Sequence, residues 1–120
     1  MRLFGFEKLD VWKLGRELTK DIYRISKSFP DDERFGLTSQ IRRASISITS
    51  NIAEGSARTS GKEQARFTEI SYGSLLEVLN QLIAAFDLEY ITEEQLNDKR
   101  PLIEELANKL NSLRNYQLSR

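Results

Sequence analysis

Gln40, Arg43, Ser47, Asn51, Glu54 and Arg58 recur at intervals of three or four residues, the spacing that brings side chains onto one face of an α-helix. Such a row of donors and acceptors offers a surface to a polar ligand. Glu77, further along the chain, is placed to face Arg43 or Arg58 across a helix seam. The plainer reading is an internal network of Arg–Glu and Asn–backbone bonds that fixes how helices sit against one another. A second set, Arg42, Arg43, Arg58, Lys62 and Arg66, is basic. Because a guanidinium fork can hold two phosphate oxygens at once, these five are the candidate contacts to RNA or another nucleic acid. Glu54 lies among them and no aromatic residues are interleaved for stacking on bases, so a solvated face stands as the alternative.

Other chemistries are harder to build from this composition. The chain has no histidine and no cysteine, which removes the commonest general base, the commonest metal ligand, thiolate nucleophiles and disulfides. Glu17, Glu54, Glu69 and Glu77 could suggest a di-iron bundle, but that site requires Glu-x-x-His pairs. Paired carboxylates could carry acid–base work, although solvated charge explains them more simply. Walker, Gly-x-Gly and nucleophile-elbow patterns are missing. Trp12 and Tyr23 read as packing or interface residues. The expectation is a protein that is not an enzyme, with no catalytic residues, no metal and no cofactor.

The elements that position these residues follow from hydrophobic periodicity. With 120 residues, 39% apolar and 30% charged, residues 1–120 read as one folded domain. Nothing resembles a signal peptide and no stretch reaches the ~18 apolar residues of a membrane span, so a cytoplasmic protein without a membrane partner is expected. Net charge is zero. Residues 1–66 nevertheless hold thirteen Lys and Arg against nine Asp and Glu, whereas 67–120 hold five against nine, a bias compatible with an anionic partner.

Val11, Leu14, Leu18, Ile22, Ile25 and Phe29 predict a first helix over Lys8 to Phe29, stopped by Pro30. Leu37, Ile41, Ala44, Ile48 and Ile52 predict a second, ending near Gly55 as a left-handed cap. Its Ser45, Ser47, Thr49 and Ser50 are mediocre helix formers that by propensity alone suit a strand, and the spacing decides for helix. Ser60 with Glu63 forms a capping-box pattern before a third helix, Lys62 to Leu88. That helix carries two apolar stripes, Phe67/Ile70/Ser74/Val78/Leu82/Ala85 and Tyr72/Leu76/Leu79/Ile83/Phe86. More apolar surface than one neighbour covers implies a central helix or a subunit contact, and contact with another copy is the favoured reading. Thr92 with Gln95 opens a fourth helix through Leu96, Ile103, Leu106, Leu110 and Leu113, with a kink or break expected near Arg100 because of Pro101. Short connections make the fold class all-α, an antiparallel up-and-down four-helix bundle.

Phe29-Pro30, Glu33-Arg34-Phe35-Gly36-Leu37, Gln40, Arg43-Ala44, Ser47-Ile48, Asn51-Ile52-Ala53-Glu54-Gly55, Arg58 and Gly73-Ser74-Leu75-x-Glu77 together resemble the signature of bacterial four-helix-bundle proteins encoded in 23S ribosomal RNA intervening sequences. The resemblance covers nearly the whole chain. It implies an up-and-down bundle assembling as a ring-like homopentamer. Related accessory proteins of diversity-generating retroelements bind nucleic acid and a reverse transcriptase through a basic surface, so the resemblance also implies Arg43 and Arg58 as contacts. Two functional readings result: a non-enzymatic homo-oligomer that binds structured RNA or a ribonucleoprotein partner, and an adaptor homo-oligomer that binds another protein.

Overall fold

Four helices carry the chain in the computed structural model, which describes residues 1–120: α1 Asp10–Ser26, α2 Leu37–Ser56, α3 Gly61–Asp87 and α4 Glu93–Leu118. Short 3-10 turns at Gly5–Lys8 and Asp31–Glu33 precede α1 and α2. Each helix packs on its sequence neighbours and α1 also meets α4, while the backbones of the diagonal pairs stay more than 8 Å apart. The cross-helix bonds give the directions. Thr19 and Arg42 tie α1 to α2 by bonds to Ser45 O and Ser26 Oγ, and Ser71 and Ser74 tie α3 to Ile48 O and Ser47 Oγ. Ion pairs Asp21–Lys99 and Asp10–Lys109 join α1 to α4. In every pair one residue number rises as the other falls, so the four helices run up, down, up and down.

The core is the set that the three-to-four spacing selects. Leu18, Ile22, Ile41, Ile48, Leu75, Val78, Leu82, Leu106 and Leu110 are all fully buried, each contributing roughly 1.5–3 kcal/mol of transfer free energy. In α2 the hydroxyls do not oppose the helix, because Ser45, Thr49 and Ser56 each donate to a carbonyl three residues back, at Arg42, Ile46 and Ala53. Their small size also lets α1 approach. A Cβ on Gly15 of α1 would stand 3.0 Å from Thr49 Cγ2 and 3.2 Å from Ile48 Cγ2, a contact tight enough to favour glycine.

Several ends differ from the expectation. Helix α1 stops at Ser26, three residues short of Phe29, and the chain turns so that Phe29 packs on the Tyr90 ring with centroids 5.8 Å apart. Gly55 is not a left-handed cap. It lies inside α2 with negative φ, and a Cβ there would come within 2.8 Å of Phe67 Cβ, so its role is the close approach of α3. The left-handed residue is Glu89, at φ 66°, just after α3. At Ser60 only half a capping box forms: its hydroxyl accepts from Glu63 N at 3.1 Å. The box at Thr92 and Gln95 is complete. Pro101 does not break α4, which runs unbroken to Leu118; its ring is exposed while Leu96, Ile103 and Leu106 around it stay buried. The two stripes of α3 are largely covered within the chain, by α2 on one side and α4 on the other. Ile70 and Leu76 are left exposed.

Candidate nucleic-acid interface

The polar stripe of α2 divides into a bonded part and a free part. Asn51 Nδ2 donates to Ser47 O at 2.8 Å and to Ser47 Oγ at 3.0 Å, and Ser74 Oγ of α3 donates to Ser47 Oγ at 2.9 Å. This is a helix-register network, as the plainer reading expects. Its Arg–Glu part does not form. Gln40, Arg43, Ser47, Ser74 and Glu77 line one shallow cleft on the α2–α3 seam, but no ion pair within 4 Å joins Glu77 to Arg43 or Arg58. Arg58 lies instead over the Phe67 ring, 4.8 Å from its centroid. Glu54 is exposed and also unpaired.

The basic set does not form one patch. Arg42 and Arg43 sit early in α2, whereas Arg58, Lys62 and Arg66 surround the α2–α3 connection, and the fourteen positions from Arg42 to the end of α2 at Ser56 alone span about 21 Å. Arg42 is moreover committed to the fold. Its Nε donates to Ser26 Oγ at 2.8 Å, a terminal nitrogen donates to Tyr23 O at 3.3 Å, and its guanidinium stands 4.7 Å from the Tyr23 ring centroid. Those bonds pin α2 to the last turn of α1.

Folding supplies new companions to Arg43. Tyr23, Arg34, Phe35, Thr38, Ser39, Arg42, Arg43, Ile46, Ser47 and Ser50 line an open cleft of about 720 Å³ on the α1–α2 side. Three arginines, four hydroxyl side chains close to the helix surface and two aromatic rings meet there without a carboxylate. Phe35 is 89% exposed, and the Arg34 guanidinium stands 5.4 Å from its ring centroid. Neither Arg34 nor Arg43 is in an ion pair. An exposed ring beside free guanidinium groups can stack on a base while the guanidinium groups hold phosphate. Sequence reasoning missed Arg34, Phe35 and Tyr23 as site residues, because the aromatics come from α1 and the loop before α2 and are not interleaved with the arginines. The available signal was the Arg34-Phe35 pair in a connection, where a large ring has no helix face to bury.

Glu33, next to Arg34 in the chain, is bonded to the fold and does not line the cleft. Its carboxylate accepts from Leu37 N at 3.0 Å, capping α2, and from Tyr90 Oη at 2.8 Å. The backbone bond from Leu37 and then the Tyr90 hydroxyl hold the Glu33 carboxyl below its ordinary value, and the bond to Glu33 pushes the Tyr90 hydroxyl up. These bonds tie the α1–α2 loop to the α3–α4 turn and set the position of Arg34 and Phe35. No three acidic side chains converge on a point where they could hold a metal ion, and no helix is long and apolar enough to cross a membrane.

The family model described as 23S rRNA-intervening sequence protein matches residues 7–112. Among solved structures, a protein of unknown function from the S23 ribosomal protein family of Bacteroides thetaiotaomicron superposes with a TM-score of 0.64. It is 24% identical, over 91% of this chain and 95% of that one, and so shares the fold. No curated protein matches the chain.

Proposed function

Because the chain belongs to the 23S rRNA-intervening sequence protein family, we propose that it is a non-enzymatic homo-oligomer that binds RNA, holding an unpaired nucleotide in the α1–α2 cleft. The observation that carries this reading is the lining of that cleft: Arg34, Arg42, Arg43, Tyr23 and Phe35 with no carboxylate among them. Phe35 supplies a stacking face, Arg34 and Arg43 supply phosphate contacts, and Arg42 braces the wall. Unpaired RNA fits better than duplex, because an exposed ring reads a splayed base and cannot enter the deep major groove of an A-form helix. The resemblance of the motif residues supports a five-membered ring, in which each copy would contribute one such cleft.

Fluorescence anisotropy of a labelled single-stranded RNA at low salt tests the proposal. Binding that weakens with added salt and is lost in a Phe35→Ala, Arg43→Ala variant supports it. No binding at low salt refutes it. A nuclease-insensitive protein partner captured through Phe35 and Arg34 would then make the adaptor reading the better one, since arginine and aromatic residues are also the commonest anchors of protein interfaces.

A further inference from the structure

We infer that the cleft on the α2–α3 seam reads a guanine base, in the nucleotide adjoining the one held in the α1–α2 cleft, an inference that rests on the RNA-binding reading above. Arg43 and Ser47 line both clefts. The two clefts therefore lie on either side of one ridge of α2, and a strand that sets a phosphate on Arg43 carries one nucleotide into each. The second cleft has a volume of about 320 Å³ and no aromatic ring in its wall, so a base there is held by its edge and not by stacking. The side-chain bonds made in it all end on Ser47, from Asn51 and Ser74. That leaves the Gln40 amide on the α2 wall and the Glu77 carboxylate on the α3 wall, both exposed, and neither Glu77 nor Arg43 is in an ion pair.

These free groups decide what enters. A carboxylate repels phosphate, so Glu77 keeps the strand's backbone on the Arg43 side and admits only a base. An ionised carboxylate accepts hydrogen bonds and donates none, through two oxygens side by side. In an unpaired nucleotide the Watson–Crick edge is open to such a group. Guanine is the one base whose edge sets two donors next to each other, N1–H and the 2-amino group. Adenine and cytosine place a ring-nitrogen acceptor beside their amino group, and uracil flanks its N3–H with carbonyl oxygens. Each of these three turns a lone pair toward the second carboxylate oxygen. The remaining group of the guanine edge, O6, is an acceptor, to which the Gln40 amide can donate from the opposite wall. A donor on one wall and a carboxylate on the other thus match the acceptor, donor, donor order of guanine.

The test is anisotropy at low salt with a labelled oligouridine and with the same strand carrying guanosine, adenosine, cytidine or inosine at one central position. Wild type, Glu77→Gln and Gln40→Ala are compared, with circular dichroism on each. Wild type should prefer the guanosine strand to the uridine, adenosine and cytidine strands by about tenfold, the discrimination of one bidentate pair. Inosine, which lacks the 2-amino group, should lose most of that preference. Glu77→Gln should bring the guanosine-to-adenosine ratio to within about twofold, because the amide presents a donor where the second carboxylate oxygen stood. Should Glu77→Gln lose helix content, Gln40→Ala decides: an undiminished guanosine preference there overturns the site. A wild type that binds every strand equally overturns the guanine site and leaves RNA binding standing, as does a Glu77→Gln variant that gains affinity for all strands and keeps the guanosine preference. A wild type that binds none of the strands overturns the RNA reading, and the guanine site with it.

Discussion

Arg43 and Phe35 stand in the same cleft but should fail differently when removed. Of its three arginines, Arg42 is engaged with Ser26 and Tyr23, which leaves Arg34 and Arg43 for phosphate. Each phosphate neutralised on a single strand contributes about −0.7 to the slope of log affinity against log salt, so two give about −1.4 per copy. Affinity then falls about sevenfold between about 50 and 200 mM salt. Arg43→Ala should bring the slope to about −0.7 and weaken all sequences alike. Phe35→Ala should leave the slope unchanged and remove a stacking contact of about 1–3 kcal/mol, roughly 5- to 150-fold in affinity. Because Phe35 is 89% exposed, its removal should not lower stability. The assay is anisotropy of a short labelled RNA titrated at four or five salt concentrations, with urea unfolding of each variant alongside. A Phe35→Ala variant that binds as tightly as wild type, or an Arg43→Ala variant with an unchanged slope, would refute the assignment of roles.

Three further outcomes follow from the fold. Arg42→Ala should cost about 1.5–3 kcal/mol of unfolding free energy in urea, because charge-assisted bonds to Ser26 and Tyr23 are lost, with little change in salt slope for RNA. Pro101→Ala should stabilise by about 2 kcal/mol, the ~3 kcal/mol helix-interior proline cost less the ~0.4–1 kcal/mol by which proline restricts the unfolded chain, raising Tm by roughly 8 °C; a lower Tm would mean that the proline shapes α4 to meet the core. Glu33 has a folded pKa below its unfolded one, so its contribution is present above the unfolded value and fades as pH falls through the folded value. Urea midpoints measured across the acid range should therefore fall less steeply with decreasing pH in Glu33→Gln than in wild type.

Residues that act through their own helix were legible in the sequence. Ile41, Ala44, Ile48 and Ile52 announce the buried face of α2 by spacing alone, and the Asn51–Ser47 bond is within reach of spacing because residues four apart are neighbours on one helix, whereas the Ser74 bond that ties Ser47 to α3 comes only with the tertiary fold. Glu77 was assigned a partner it does not take, since helix spacing gives a side chain's azimuth but not its distance from a residue on another helix. Gly55 was read as a left-handed terminus; α2 does end beside it, at Ser56, but without a positive φ, and the glycine makes room for Phe67, which arrives only when α3 folds back.

By itself, the sequence determined that this is an all-α chain of four amphipathic helices without histidine or cysteine, because period and composition are properties of the chain before it folds. Tertiary structure alone decided which arginines are free. It committed Arg42 to the end of α1, left Arg58 beyond the far end of α2 from Arg43, and set Phe35 and Tyr23 beside Arg34 and Arg43. A charge is available to a partner only if no neighbour has already satisfied it, and those neighbours come from distant stretches of the chain.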